Sequence, residues 1–172
     1  MNEHAQKLAP QVAIILGSAS DVETLSSCRK ALDNFGISHE LKILSAHRTP
    51  DELVAYVRDL QPRAVQLVIA AAGMAAALPG VVAAHTLLPV IGVPLAAGVL
   101  AGVDALLSVA QMPSGVPVAC MGIGEAGGKN AAYLAARILA LHDKTIETQT
   151  KKVLAADRQK VLDAKIPGET KS

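Results

Sequence analysis

The sequence predicts a three-layer α/β protein built on a doubly wound parallel sheet, and three observations carry that expectation. Short apolar runs rich in branched residues recur along the chain, and a helix start signal follows each of the first two. With 51% of residues apolar and 18% charged, the chain is too oily to stay disordered and must bury much of itself. Its 172 residues fit one domain, with a core over about residues 12–142 and a helical tail over about 143–166. Alanine supplies 31 residues and the aromatics only three, so the interior must pack small side chains closely.

Val12 to Leu16 is continuously apolar and stops at Gly17, as a strand covered on both faces would. Asp21 is placed to cap a helix running to about Phe35, which Gly36 ends. A second strand near Glu40 to Leu44 leads into Thr49-Pro50-Asp51-Glu52, where Thr49 reads as the N-cap and Pro50 as the first helical residue. Leu67 to Ala71, Pro89 to Val93 and Val116 to Met121 supply three more strands. Helices are expected between and after them, at about Leu78 to Thr86, Gly102 to Ala110 and Gly127 to Leu141. Five strands joined by right-handed crossovers favour the flavodoxin-like order 2-1-3-4-5. From Asp143 onward the composition turns charged, with an apolar stripe at Ile146, Val153, Leu154, Val161 and Leu162 on one helix face. That helix either packs on its own domain or reaches across to a neighbouring subunit.

Several function classes fall away at once. Sixteen Lys and Arg against fifteen Asp and Glu leave a net charge of +1, so no overall field recruits nucleic acid. Three aromatic residues cannot build a platform for stacking bases. Ala64 to Val103 holds no Asp, Glu, Lys or Arg, but Pro79, Pro89, Pro94 and five glycines cut it into pieces too short to cross a membrane. Buried strands and helices explain this run, and helix faces covered by other subunits make a homo-oligomer the expectation. Cys28 and Cys120 lie outside any C-x-x-C spacing and read as small buried hydrophobes in a reducing compartment. Met1 to Pro10 has no apolar core of a secretory signal, and a cytoplasmic location is expected.

In an open parallel sheet, ligands bind beyond the C-terminal ends of the strands, so the turns after the first three strands should converge on one site. After the first comes Gly17-Ser18-Ala19-Ser20-Asp21, where Gly17 permits a tight turn and the hydroxyls and free N–H groups suit a phosphate. Asp21 can accept hydrogen bonds from ribose hydroxyls, although a capped turn that binds nothing has the same composition. After the second comes Ser45-Ala46-His47-Arg48-Thr49-Pro50. Capping explains Thr49 and Pro50 but not His47, an acid and base in one turnover, nor Arg48, which can grip a phosphate or carboxylate bidentately. After the third, Ala70 to Gly80 is almost bare of side chains, so its backbone either approaches a ligand or packs tightly against a helix. His85 reads as an interior or interface histidine. His4, His39 and His142 have no partner at ligand spacing, so no metal is expected.

GSASD at Gly17 to Asp21, SAHRTP at Ser45 to Pro50, LPGVVAAHTLLPVIGVPL at Leu78 to Leu95, DALLSVAQMPSGVPVA at Asp104 to Ala119 and GGKNAAYLAARIL at Gly127 to Leu139 resemble the 5-(carboxyamino)imidazole ribonucleotide mutase family of purine biosynthesis. The resemblance covers about residues 12–141. It implies a flavodoxin-like homo-octamer that isomerises a small nucleotide without cofactor or metal. By resemblance Ser18, Asp21, Ser45 and Arg48 hold the ribose phosphate, and His47 is the general acid and base. Ala72 and Gly73 line the site beside the base and the migrating carboxylate, and Gly17 and Leu78 complete the substrate-binding set. Met74 and Ala77 stand where bacterial mutases usually carry Gly and His, and Val22 where Trp is common. The related carboxylase class, which fixes free carbon dioxide onto aminoimidazole ribonucleotide, also lacks that His, but it is shorter through this loop and carries Lys where Arg48 stands. It remains the alternative reading. A flavin mononucleotide carrier is the third, disfavoured because Phe35, Tyr56 and Tyr133 all fall outside the βα turns.

Overall fold

The computed structural model describes residues 9–165; the expectations for Met1 to Leu8 and for Ile166 fall outside them. The strands are β1 (Val12–Leu16), β2 (His39–Ile43), β3 (Leu67–Gly73), β4 (Val90–Leu95) and β5 (Ala119–Cys120). The helices are α1 (Ser26–Asn34), α2 (Pro50–Leu60), α3 (Leu78–Ala84), α4 (Val103–Ala110), α5 (Gly124–Leu139) and α6 (Lys144–Leu162). All strand pairs are parallel and the order is β2-β1-β3-β4-β5, as the sequence predicts. Leu16 pairs with Ile43 on one side and Ala71 on the other, so β1, β2 and β3 end level and their turns emerge together.

Every residue of β1 is buried, because helices cover both faces of the sheet. Val12, Ile14 and Leu16 pack with α1 and α5, through Leu32, Phe35, Ala131 and Ala135 among others. Ala13 and Ile15 face the other layer, with Leu53 and Val57 of α2, Val82 of α3 and Val109 of α4. Alanine-rich α5 approaches closely: a Cβ on Gly127 would lie 1.6 Å from the Gly122 carbonyl oxygen, so only glycine fits there. The uncharged run becomes β3, α3 and β4, and no helix among the described residues is long and apolar enough to cross a membrane.

Several expectations are corrected, each for a local reason. The helix expected from Asp21 starts at Ser26 instead; residues 19–21 form a short 3₁₀ turn. There the Ser18, Ser20 and Asp21 side chains bond one another and compete with the helical ladder. Thr49 occupies the N-cap of α2 but leaves the helix N–H groups alone; its hydroxyl accepts from the Ser45 N–H (2.9 Å) and donates to the Ser45 carbonyl (3.2 Å). The strand expected over Val116 to Met121 pairs only at Ala119–Cys120, since Pro117 lacks a donor and a turn from Pro113 to Val116 occupies the approach. His85 is exposed at the end of α3, which stops at Ala84, so it is not an interior histidine.

Asp143 caps α6, its carboxylate accepting from the Thr145 and Ile146 N–H groups at 2.9 and 3.1 Å. Ile146 is buried in the α1–α5 layer, Val153 packs against it, and the Gln149 amide donates to the Asn34 carbonyl at 2.8 Å. Val161 and Leu162, at 75% and 59% exposure, do not join them. The stripe therefore divides: its first half packs on its own subunit, and its last turn is uncovered. Cys28 is buried and burial pushes its thiol up to about 12, while Cys120, partly buried, shifts up for the same reason. Both are free thiols, but the expected burial holds for Cys28 alone, since Cys120 ends the short edge strand β5 and is only half-buried.

Candidate active site

The turns after β1, β2 and β3 surround one cavity of about 520 Å³ at the C-terminal edge of the sheet. All nine residues singled out in the sequence line it: Gly17, Ser18, Asp21, Ser45, His47, Arg48, Ala72, Gly73 and Leu78. Equal strand ends bring them together, because a parallel sheet with level β1, β2 and β3 projects the three following loops into one crevice.

The β2 turn is tied to itself at both ends. The Arg48 N–H donates to Ser45 Oγ at 3.2 Å, and the Thr49 N–H donates to the Ser45 carbonyl at 2.9 Å. With the two Thr49 hydroxyl bonds this closes a rigid loop around Ala46 and His47, and leaves the His47 ring exposed at the rim. Arg48 then reaches sideways: its Nη2 donates to the Gly17 carbonyl at 3.0 Å, joining the second turn to the first. The remaining guanidinium donors stay free for an anionic ligand. In the β1 turn, Ser18 Oγ accepts from the Ser20 N–H (3.4 Å) and the Ser20 hydroxyl (2.9 Å), and Ser20 Oγ lies 3.2 Å from Asp21 Oδ1.

The third turn is a smooth wall. Gly73 has no room for a side chain, since a Cβ would come 2.8 Å from the Ala97 Cβ and 3.2 Å from the Leu95 carbonyl oxygen. The backbone there is exposed to the cavity in consequence, flanked by Ala72, Ala75 and Ala77, whose side chains end at Cβ. Leu78, buried at the start of α3, closes the floor. Polar side chains sit on one side, at Arg48, His47 and Asp21, and apolar wall on the other.

Six lining residues lie beyond that set: Ser20, Ala46, Met74, Ala75, Ala77 and Ala97. Ser20 gave no signal to separate it from its neighbours in a serine-rich turn. Ala97 comes from the turn after β4, which was not expected at the site; β4 pairs with β3 as far as Gly73–Leu95, and that register carries its turn alongside. Met74 lines the mouth with φ +56°. None of the three aromatic residues lines the cavity, so the stacking surface a flavin would use is missing from it. Among the described residues no cluster of three or more His, Cys, Asp or Glu is placed to hold a metal.

Comparison with known proteins places the chain among relatives of nearly its own length. The family model described as AIR carboxylase matches residues 11–160. A curated relative from Pseudomonas aeruginosa, named N5-carboxyaminoimidazole ribonucleotide mutase, is 49% identical over 152 residues, covering 88% of this chain and 93% of the relative. A relative of the same name from Vibrio cholerae is 45% identical over 158 residues, covering 92% and 98%. The solved structure of Treponema denticola PurE superposes with a TM-score of 0.81 at 34% identity, over 90% of this chain and 95% of that one.

Proposed function

The chain belongs to the AIR carboxylase family, and from that premise we propose that it converts N5-carboxyaminoimidazole ribonucleotide into 4-carboxy-5-aminoimidazole ribonucleotide, an isomerisation in purine biosynthesis. The observation that carries this reading is the near full-length similarity to relatives named for that mutase, at 45% and 49% identity. The cavity's division into a polar side and a bare apolar wall supports it.

The reaction moves a carboxylate from the exocyclic nitrogen to ring carbon C4. Ser18, Asp21, Ser45 and Arg48 hold the ribose phosphate, remote from the reacting atoms, so the imidazole is fixed in place by contacts that do not change during turnover. The N–CO₂ bond then breaks, its electron pair stays on nitrogen, and His47 supplies the proton that nitrogen takes. Free carbon dioxide lies against the wall formed by the Ala72–Gly73 backbone, where no side chain displaces it and little water competes. C4 attacks it, the new C–C bond forms, and the C4 proton returns to His47. One imidazole thus gives and regains a proton, and the enzyme ends each cycle as it began. The rigid Ser45–Thr49 loop holds that ring between the two atoms it serves.

Exposed apolar side chains support assembly. Val99, Leu100, Val103 and Leu107, between 53% and 100% exposed, form a band along α4 and the loop before it. Further copies of the chain cover that band in a homo-octamer, working in the cytoplasm where its nucleotide substrate is made.

The test is turnover of the carboxyamino nucleotide by the full-length protein, with His47→Asn as its control. That variant should lose activity by a factor of about 10² to 10⁴, the usual contribution of a general acid–base, while still binding product. Activity within about tenfold of the unsubstituted enzyme would remove His47 from the mechanism.

A further inference from the structure

Ser20 lines the cavity without a role in the reading above, and its hydroxyl sits between two groups that have one. Ser20 Oγ lies 2.9 Å from Ser18 Oγ and 3.2 Å from Asp21 Oδ1. Either neighbour can accept from it, yet a serine has one hydroxyl proton to give. The backbone around it is held, because the Asp21 N–H donates to the Ser18 carbonyl at 3.2 Å and the Leu25 N–H donates to the Asp21 carbonyl at 3.3 Å. What stays free is the rotation of the Ser18 and Ser20 hydroxyl protons.

Two arrangements of those protons fit the same oxygen positions. In the first, Ser20 donates to Asp21 and Ser18 donates to Ser20 Oγ. Ser18 then has no proton left for a ligand, and Asp21 Oδ1 is already engaged. In the second, Ser20 donates to Ser18. Ser18 Oγ then accepts from the Ser20 hydroxyl and, at 3.4 Å, from the Ser20 N–H, which uses both of its lone pairs and leaves its own proton for an acceptor in the cavity. Asp21 is released in the same rotation, and no covalent bond changes.

We propose that Ser20 couples the two ends of nucleotide recognition, so that a phosphoryl oxygen bound to Ser18 frees Asp21 for the ribose hydroxyls. The inference rests on the mutase reading, which supplies a ligand carrying both groups. An ionised phosphoryl oxygen only accepts, so it selects the second arrangement. In that arrangement the Asp21 carboxylate no longer shares Oδ1 with Ser20 and is the stronger acceptor for a ribose hydroxyl. Each contact therefore favours the other, and the coupling is reciprocal. Ser20 is a positioning residue, acting through Ser18 and Asp21.

The test measures the affinity of the full-length protein for four ligands by calorimetry, with displacement titrations for the weak ones. They are the product 4-carboxy-5-aminoimidazole ribonucleotide, its nucleoside without the phosphate, and the 2′,3′-dideoxy form of each. The fold-loss on removing the ribose hydroxyls is taken once with the phosphate present and once without it, and the ratio of the two is the coupling. The phosphate also positions the ribose in every variant, so the change between variants isolates Ser20. Ser20 is exposed, and Ser20→Ala should lower the ratio by about threefold or more, since Ser18 and Asp21 then compete for no shared proton. Ser20→Thr keeps the hydroxyl and should hold the ratio above that limit. A merely structural serine would weaken all four ligands alike and leave the ratio where it was. A smaller fall in Ser20→Ala would overturn the proposal, as would Ser20→Thr falling as far as Ser20→Ala. Absence of product binding, together with absence of turnover of the carboxyamino nucleotide, would overturn the mutase reading and the coupling with it, a result distinguishable from binding whose ratio does not change.

Discussion

Arg48 does two things that separate variants can tell apart. One guanidinium nitrogen fastens the β2 turn to the Gly17 carbonyl, and Arg48 also lines the cavity, where its remaining donors can meet a ligand. Arg48→Ala should weaken nucleotide binding by about 1.5 to 3 kcal/mol, the range for hydrogen bonds to a charged partner. The loss should appear in KM and in product affinity more than in kcat, since the phosphate does not react. Titration with product checks this, and unchanged affinity would mean that the guanidinium does not touch the phosphate. At this scale the polar lining of the cavity was legible, because capping leaves His47 and Arg48 unexplained in the β2 turn, whereas Gly17, Ser18 and Asp21 were marked by their place after β1 rather than by unusual chemistry. Of the two places expected for His85, interior or interface, the interior one fails for a physical reason: an uncharged flanking sequence suggests burial, but α3 ends one residue too soon to carry it inside. Thr49 was placed correctly and its bond was not, since a hydroxyl at an N-cap can turn back to the preceding loop instead of forward to the helix.

The element that aims His47 is α2, and a polar clasp absent from the sequence reading fastens it to edge strand β2. Glu40 accepts from Arg63 Nη2 at 2.5 Å and Nη1 at 3.2 Å, and from the Tyr56 hydroxyl at 2.6 Å. Arg63 also pairs with Asp59 at 2.9 Å. The Arg63 guanidinium, with help from the Tyr56 hydroxyl and against the opposing effect of burial, holds the Glu40 carboxyl below the usual carboxylate range. A depressed folded value means that the clasp stabilises the fold above the unfolded carboxylate pKa, and that this contribution fades as pH falls through the folded one. Glu40→Gln should therefore cost about 1 to 2 kcal/mol at neutral pH, since the pair is partly exposed. Its deficit against the unsubstituted protein should shrink in acid. Denaturant unfolding at several pH values checks this, and a deficit constant into strong acid would show that packing rather than charge is lost. Spacings of 16 and 23 residues between Glu40 and its partners have no local pattern, so only the folded register reveals them. Strand and helix cores were legible from apolar runs and cap residues. The start of α1 and the length of β5 were not, because side-chain bonds in one case and Pro117 in the other override the apolar pattern.

For the whole molecule, the doubly wound parallel sheet followed from the alternation of strands and helices, while the order β2-β1-β3-β4-β5 followed from the small menu of such folds, and with it the convergence of the first three turns on one cavity. What alternation alone does not give is register, and the β3–β4 register is what adds Ala97 to the wall. The division of the α6 stripe was equally hidden, since periodicity marks an apolar face without saying what covers each part of it. Truncation after His142 removes Ile146 from the α1–α5 layer and takes away the exposed Val161 and Leu162. It should lower the thermal midpoint by about 5 °C or more from lost apolar burial, and reduce the size of the assembly if the last turn meets another subunit. Calorimetry with light scattering checks both, and an unchanged midpoint would mean that α6 is dispensable. In the proposed reaction carbon dioxide is made and consumed inside the cavity, at an effective concentration beside C4 that bulk solution cannot match. The most direct measurement is to supply the carboxyamino nucleotide with its carboxyl carbon labelled, in excess unlabelled bicarbonate, and follow the label into product over a single turnover. Retention of most of the label, at a rate indifferent to bicarbonate, is the expected result. Loss of the label at the rate of turnover, with a rate that climbs with bicarbonate, would contradict the mutase and indicate capture of free carbon dioxide from solution.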